Sequence, residues 1–367
     1  MRLWKRASGV LKDQNSLWQA NLSRRTALRN PEIEKAVIRA TTHHDLSFDT
    51  RHADRVCDWL RLSPSNLKPI LWSLSNRVEK TRSWVVALKC LYLTHALTTT
   101  RIPSVRKIGR LPFDLSSFTD AHARPVRSWP FNSFVRAYYA FLDHKSTVIF
   151  QSAAGSAAAD EKPGFSIARE LNLLQKLQGL VDLLMQIKPQ ARAAHVPLVL
   201  HVMDGIIIEI YDLYSRICRG IAVVLVNIYS GGKTEAAMAL AVVKKATRQG
   251  EDLTRYFEFC QEIGVVNAAE FPVIDRIPDE GIRELEEIII SFGEKKVSDE
   301  AEAEEEEPDG PYDEKAVVVY DKGGGMKTII TDDWERFEED YLLAKNPFAT
   351  PLAITKKHQE PPDLISF

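Results

Sequence analysis

The sequence predicts an all-α protein, an α-solenoid-like stack or extended bundle of helices, followed by an acidic tail that does not fold on its own. Apolar residues recur with a helical period from Asn30 to about His144 and again from Ser166 to about Phe292. The first of these halves shows no sustained strand alternation. Connections are short and no fixed sequence period marks a repeat array, so a helical stack is favoured over a recognisable repeat protein.

Composition and charge divide the chain into four parts. Residues 1–150 form an N-terminal helical lobe, the small-residue stretch 151–164 is a linker, residues 165–293 are further helices, and residues 294–367 are the tail. Residues 1–130 carry 23 Lys and Arg against 10 Asp and Glu, whereas residues 294–340 carry 6 against 18. A basic front and an acidic tail indicate an anionic surface as partner of the first and a different partner for the second.

Several classes of protein are disfavoured by simple counts. No apolar run reaches the length of a membrane span, and the N-terminus lacks the apolar core of a signal peptide. The cysteines show no CxxC pair and no disulfide spacing, so we expect reduced core residues in a cytosolic protein. They are Cys57, Cys90, Cys218 and Cys260.

Residues 1–29 are basic and partly amphipathic. Trp4, Leu11 and Trp18 alternate with basic residues such as Lys5 and Lys12. A helix of this kind lies on a membrane surface with its tryptophans at the interface, or it packs on the domain as a first helix. The pattern alone leaves both interpretations open.

The stretch from Lys35 to His52 brings four chargeable basic groups together. Asn30 and Pro31 are the N-cap and first residue of a helix on which Lys35 and Arg39 lie one turn apart. A loop over residues 45–49 reverses the chain, which places Arg51 and His52 in the first turn of a second helix. The free backbone N–H groups of that turn also attract anions. The alternative is an ordinary solvated basic face.

Catalytic and metal-binding motifs are not recognisable in the sequence, which favours a protein that is not an enzyme. Residues 230–234 resemble half a P-loop, but Asn227 occupies the position of its first glycine and no strand precedes it. His43 and His44 lack further ligands at metal spacing, and no nucleophile elbow or kinase signature occurs. We therefore expect no cofactor and no metal. Two alternatives remain, namely a helical-repeat interaction scaffold without lipid binding and a module that grips nucleic-acid phosphates by charge.

Several segments together resemble the ANTH domain of clathrin assembly proteins, and the tail resembles that of the plant members. The basic signature is residues 39–43 followed by Arg51 and His52. Three further segments match, namely residues 11–13, 134–139 and 257–264. The resemblance covers about residues 1–290 and implies a right-handed all-α superhelix that binds phosphatidylinositol 4,5-bisphosphate.

The resemblance also implies which residues contact the lipid headgroup. Carried over by position, the contacts fall on Arg39, Arg51 and His52, and Lys35 is an addition one turn before Arg39. The family usually has a lysine where this chain has Asp49, and we expect an acid there to weaken binding by about 1 kcal/mol for each of two charge changes. Asp49 is also a candidate N-cap for the second helix.

The tail carries short segments that resemble docking motifs. Trp334 and Phe337, followed by acids, are similar to the WxxF motif bound by adaptor appendage domains, or form a helix that packs on the domain. Asn346, Pro347 and Phe348 match the tripeptide that EH-domain proteins bind. Asp363, Leu364, Ile365 and Phe367 are similar to a clathrin box, with the terminal carboxylate in place of an acid; the alternative is a frayed end.

The resemblance therefore predicts a monomeric endocytic adaptor that recruits clathrin to a phosphoinositide membrane. Its partners would be the membrane surface, the clathrin heavy chain, adaptor appendages, EH-domain proteins and vesicle SNARE helices, and nucleic acid would not be one of them. Its location would be cytoplasmic and peripheral to membranes, in clathrin-coated pits and vesicles at the plasma membrane or Golgi apparatus. Weak contacts of domain and tail would add up because coats present many copies of each partner.

Overall fold

A computed structural model describes residues 2–122, 124–157, 166–269, 280 and 282–291, all within one unit that spans residues 1–306. These residues form helices and turns without any strand. The predicted all-α fold is therefore confirmed for the part of the chain that is described. The tail and its motifs, from Trp334 to Phe367, lie outside it.

The N-terminal half begins with helices joined by short connections. Their caps match the sequence signals: Asn30 caps the second helix with Pro31 at its first position, and Asp49 caps the third. The helices are α1 (Arg2–Leu22), α2 (Pro31–Ala40), α3 (Thr50–Leu62), α4 (Leu67–Lys80) and α5 (Trp84–Thr99).

Helix α5 is the centre of this half. Most of its side chains are buried, among them four leucines: Leu88, Leu91, Leu93 and Leu97. At its start, Trp84 stacks on Phe131 with ring centroids 4.1 Å apart. A helix apolar on all sides must be covered on all sides, and α3, α4 and the following long helix supply that cover.

The long helix α6 (Pro125–Ala157) continues through Pro130, although a proline by itself favours a break. Pro130 lies only a few residues inside the helix and costs a single backbone hydrogen bond near its start. Packing of Phe131, Phe134 and Val135 against the core keeps the helix continuous there. The helix also includes residues 151–157, which the sequence places at the start of a linker; residues 158–165 lie outside the described part.

Two long helices of the second half continue through glycines, which by themselves weaken a helix. Helix α8 (Pro197–Val226) runs through Gly220, and α9 (Lys233–Glu262) runs through Gly250. Gly220 is buried, and a Cβ atom there would lie 2.5 Å from Leu174 Cδ2. It therefore allows α8 to pack closely on α7 (Ile167–Met185) and does not end a helix. A short helix α10 (Val266–Ala269) follows, and residues 282–291 are helical as well.

A buried polar network joins the two halves. His95 of α5 contacts the Tyr138 hydroxyl of α6 through Nδ1 at 2.7 Å and Glu209 of α8 through Nε2 at 3.1 Å. Lys145 of α6 pairs with the other oxygen of Glu209 at 2.9 Å. Burial alone would raise the pKa of Glu209, but Lys145 and His95 hold that pKa well below its usual value. Glu209 is therefore a paired carboxylate at neutral pH.

The cysteines follow the prediction with one exception. Cys57, Cys90 and Cys260 are buried free thiols, but Cys218 is exposed on α8. The prediction for Cys218 was wrong because the face of α8 that carries it is not covered by another described helix. No described helix is long and apolar enough to cross a membrane, and no three His, Cys, Asp or Glu side chains of the described residues are grouped to hold a metal ion.

Two glycine substitutions test the close packing of α7 and α8. Gly220→Ala should lower the free energy of unfolding by about 1–3 kcal/mol, because buried Leu174 must move. Gly179→Ala in α7 is the control, since its added Cβ meets nothing within 4 Å. It should raise stability by about 0.5–1 kcal/mol. Urea unfolding of both variants measures the two effects, and equal changes would contradict this role for Gly220.

Candidate anion-binding site

Helix α2 presents Lys35 and Arg39 away from the core. The Asn30 side chain accepts the backbone N–H of Glu32 at 3.1 Å and so sets where the helix begins. Ile33, Ala36 and Val37 are buried, which leaves Arg39 exposed and Lys35 half-buried on the other side. Lys35 Nζ donates to Glu32 Oε1 at 2.7 Å.

Helix α3 presents the second pair of predicted residues. The Asp49 carboxylate accepts the backbone N–H of His52 at 3.2 Å through Oδ1, and Oδ2 lies 2.8 Å from His52 Nδ1. Arg51 is exposed in the first turn beside this cap, and His52 is half-buried. With Nδ1 held by Asp49, His52 can donate from Nε2 to an anion only when it is protonated.

Asp49 is therefore an N-cap, as the sequence allowed, and also an ionised neighbour of the site. Partial burial favours its neutral form, but hydrogen bonds from His52 and the charges of His52 and Arg51 hold the pKa of Asp49 below its usual value. At neutral pH one negative charge thus faces Arg51 and His52. The cap orders the first turn of α3, but its negative charge reduces the positive electrostatic potential there.

The four predicted residues fall into two neighbouring groups. Lys35 and Arg39 surround Glu32, whereas Arg51 and His52 surround Asp49. The hydrogen bond from Lys35 is the main reason why the pKa of Glu32 is lowered, and the charges of Arg55 and Arg39 add to it. Arg55 of α3 therefore lies close enough to α2 to act on Glu32, one turn beyond Arg51.

Two further basic residues, Arg55 and Lys89, lie near the candidate site and were missed by the sequence analysis. The Arg55 guanidinium lies 5.0 Å from the ring centroid of Trp59, which braces it at the surface. Its position in the sequence, one helical turn after Arg51, could have identified it. Lys89 is only 1% exposed, and its Nζ lies 3.3 Å from Thr42 Oγ1 in the loop between α2 and α3. Lys89 could have been identified as a lysine within the otherwise apolar sequence of α5.

Lys89 places a buried positive charge beneath the loop. Burial lowers the pKa of Lys89 to about 8, and the charges of Asp13, Asp49 and Asp45 work in the opposite direction. The ammonium group remains mostly protonated at neutral pH. It therefore offsets part of the negative charge that Asp49 brings to the site.

The same loop is clamped to α1 and α4. Asp13 of α1 accepts the backbone N–H of His43 at 2.8 Å and lies 2.7 Å from its Nδ1. Arg77 of α4 donates to Asp13 at 2.5 Å and to the carbonyl oxygen of Thr41 at 2.9 Å. Burial would raise the pKa of Asp13, but the bonds from His43 and Arg77 keep it below its usual value. The loop between the two basic groups is thus fixed from both sides.

The described residues define a helical domain with a basic cluster formed by α2 and by the capped first turn of α3. The sequence model of the ANTH domain matches residues 32–291. The chain belongs to the ANTH domain family.

Individual relatives match almost the whole chain. An Arabidopsis thaliana protein provisionally named clathrin assembly protein At1g25240 is 46% identical over 94% of this chain and 89% of its own length. A second, provisionally named clathrin assembly protein At1g68110, is 44% identical over 100% of this chain and 96% of its own. A third, At1g14686, with the same provisional name, is 42% identical over 79% of this chain.

The capping role of Asp49 can be separated from its charge. Asp49→Ala removes the acceptor for the His52 N–H and should cost about 1 kcal/mol of stability. Asp49→Asn keeps an acceptor of similar capping strength and should stay within a few tenths of a kcal/mol of the wild type. Chemical unfolding measures both, and an equal loss in the two variants would show that the charge, and not the cap, stabilises α3.

Burial of Lys89 predicts a pH dependence of stability. The folded pKa of about 8 is below the unfolded value of about 10.4, so the unfolded chain binds more protons between these pH values. The free energy of unfolding should therefore rise with pH across this window, on the order of 1 kcal/mol.

The Lys89→Met variant should lose this rise relative to the wild type. Lys68→Met, at an exposed lysine of α4, is the matched control and should keep it. Urea unfolding at about pH 7.5 and about pH 9.5 makes the comparison. The burial account fails if wild type and Lys89→Met change equally.

Proposed function

We propose that this protein is an endocytic adaptor that binds phosphoinositide membranes through the α2–α3 cluster and recruits clathrin through its tail. The observation that carries the membrane part is the cluster itself. Arg39 lies in the last turn of α2, Arg51 and Arg55 lie in the first two turns of α3, and Lys35 and His52 are on the same two helices. A headgroup with several phosphates is the kind of ligand that such a cluster attracts, because guanidinium groups and free N–H groups at helix starts both bind phosphate oxygens.

Helix α1 adds an apolar contribution to the same proposal. Leu11, Trp18 and Leu22 recur at i, i+7 and i+11 and are 66%, 62% and 64% exposed. The opposite face, with Gly9 and Asp13, packs on the domain. The two interpretations of the N-terminal helix are therefore compatible, since one face packs while the other stays open.

Helix α1, which carries the apolar stripe, packs on the loop between the two groups of the basic cluster. A Cβ atom on Gly9 would lie 2.7 Å from His43 Cβ, so α1 runs directly over the loop between α2 and α3. The clamp of Asp13 on His43 holds this arrangement. Basic side chains for headgroups beside leucine and tryptophan for the acyl boundary are the two components of interfacial membrane binding.

The clathrin part of the proposal rests on the relatives and on the tail. The relatives' names assign them to clathrin assembly, and the chain matches them along nearly all of its length. The tail motifs at Trp334 and Phe337, at residues 346–348 and at residues 363–367 would dock on adaptor appendages, EH domains and clathrin. Such a protein works by binding alone, without catalysis, as a peripheral membrane protein at coated pits and vesicles.

Vesicle flotation tests the membrane site. The double variant Arg39→Ala/Arg51→Ala should lose most of the binding to vesicles that contain phosphatidylinositol 4,5-bisphosphate, because two phosphate contacts disappear. Lys233→Ala/Arg248→Ala, two exposed basic residues of α9, removes the same charge elsewhere and should bind as the wild type. Equal loss in both double variants, or no dependence on the lipid, would favour a helical scaffold without lipid binding.

The apolar stripe makes a separate prediction. Leu11→Ser/Trp18→Ser should weaken vesicle binding by about tenfold or more and leave binding of the soluble headgroup unchanged, since only the vesicle contains an apolar phase. Val226→Ser removes an exposed apolar side chain from α8 and should have no effect on either. A drop in headgroup binding would show that the stripe variant disturbs the basic cluster.

Clathrin binding is tested in the tail. Leu364→Ala/Phe367→Ala should weaken capture of the protein by the terminal domain of the clathrin heavy chain, because both apolar anchors of the box are removed. Phe348→Ala is the control within the same tail. Unchanged capture of the double variant would exclude this segment as the clathrin site.

A further inference from the structure

Ser8 carries an exposed side chain on the open side of α1. It lies three residues before Leu11, and Leu11, Trp18 and Leu22 form the apolar stripe of this helix. Residues three or four apart share one face of a helix, so Ser8 continues the stripe toward the start of α1. A charge placed on Ser8 would therefore face the same surface that the stripe contacts.

Two basic residues precede Ser8 at a spacing that many serine kinases recognise. Residues 5–8 are Lys-Arg-Ala-Ser, which places positive charges three and two positions before the hydroxyl, and kinases select substrates by such charge patterns. The same spacing of Lys or Arg occurs before Thr247 and Ser298. Thr247 is half-buried and donates to the carbonyl oxygen of Val243 at 3.2 Å, and Ser298 lies outside the described part. Among the residues that are described, Ser8 is thus the exposed hydroxyl with this pattern.

The start of α1 can open to reach the active site of a kinase, which binds its substrate as an extended segment. Gly9 follows Ser8 directly, and a glycine inside a helix weakens it relative to alanine. Local opening also needs the least free energy in the terminal turns of a helix. The clamp of Asp13 on His43 holds the helix after Gly9, so these first turns can open without unfolding the domain.

We propose that Ser8 is a phosphorylation site and that its phosphate releases the protein from membranes; the second part rests on the function proposed above. A serine kinase directed by basic residues would transfer the γ-phosphoryl group of ATP. A bond forms between Ser8 Oγ and the γ-phosphorus, and the bond from that phosphorus to the oxygen bridging to the β-phosphate breaks. ADP leaves, and the hydroxyl proton passes to the catalytic base of the kinase.

The phosphate would oppose both components of membrane binding. It adds a charge of about −1.5 to −2 on a helix that packs on the loop between the two basic groups, which weakens attraction to anionic lipid. On the side of the apolar stripe, it would also have to give up water at the acyl boundary. Lys12 is exposed one turn after Ser8 and can pair with the phosphate, so α1 should stay helical.

Mass spectrometry tests the modification itself. The full chain is treated with ATP and a serine kinase directed by basic residues, and the rate of labelling is measured at each site. Ser8 should be labelled at least roughly tenfold faster than Thr247, which has the same spacing but is half-buried. Arg6→Gln should slow labelling of Ser8 and leave Thr247 unchanged. Absence of phosphate at Ser8, or faster labelling of Thr247, would overturn the proposal.

Vesicle flotation tests the effect of the phosphate. The chain phosphorylated at Ser8 should bind vesicles with phosphatidylinositol 4,5-bisphosphate roughly tenfold or more weakly than the unmodified chain. Ser8→Ala should bind as the unmodified chain, and so should the chain phosphorylated at Ser230, an exposed serine between α8 and α9.

The outcomes separate this inference from the proposed function. Equal vesicle binding with and without phosphate at Ser8 would overturn the inference alone. Failure of the unmodified chain to bind any vesicle would contradict the proposed function itself, and with it the release. Loss of helical circular dichroism on phosphorylation would also overturn the proposal, because unfolding of α1, and not the added charge, would then explain the weaker binding.

Discussion

The carboxylate of Asp13 is the contact on which the candidate membrane surface depends. It binds His43 in the loop between the two basic helices and Arg77 of α4, while Gly9 on the same helix lets α1 touch that loop. One acid thus fixes α1, the loop between α2 and α3, and α4 relative to each other. Because its pKa lies below the usual value in the folded chain, this contribution to stability is present at neutral pH and is lost as the pH falls through that lowered pKa.

Negative charges at the site offset part of its positive charge. Asp49 and Glu32 reduce the positive field, Arg55 and buried Lys89 restore part of it, and His52 adds charge only when it is protonated. Such a site would bind a membrane moderately and reversibly. That suits an adaptor whose stable recruitment comes from many weak contacts of domain and tail within one coat.

The sequence predicted best those features that depend on residues close together in the chain. The caps at Asn30 and Asp49, the apolar content of α5 and the one-turn spacing of Lys35 and Arg39 are all local signals, and the structure has each of them. The sequence predicted poorly those features that depend on contacts between residues far apart in the chain. Gly220 and Pro130 break helices by propensity but lie within α8 and α6, because packing against remote side chains overrides the local preference. Lys89 and the clamp of Asp13 were missed for the same reason, since their partners lie far away in sequence.

The central claim is that a phosphoinositide headgroup binds the basic cluster beside Asp49, with Arg39 and Arg51 as its main contacts. Calorimetric titration of the soluble headgroup inositol 1,4,5-trisphosphate into the wild type and into Asp49→Asn tests it most directly. Asparagine keeps the cap but removes the negative charge, so the account predicts about fivefold to tenfold tighter binding by the variant. Equal or weaker binding by Asp49→Asn would contradict the account, because the headgroup would then bind away from this charge.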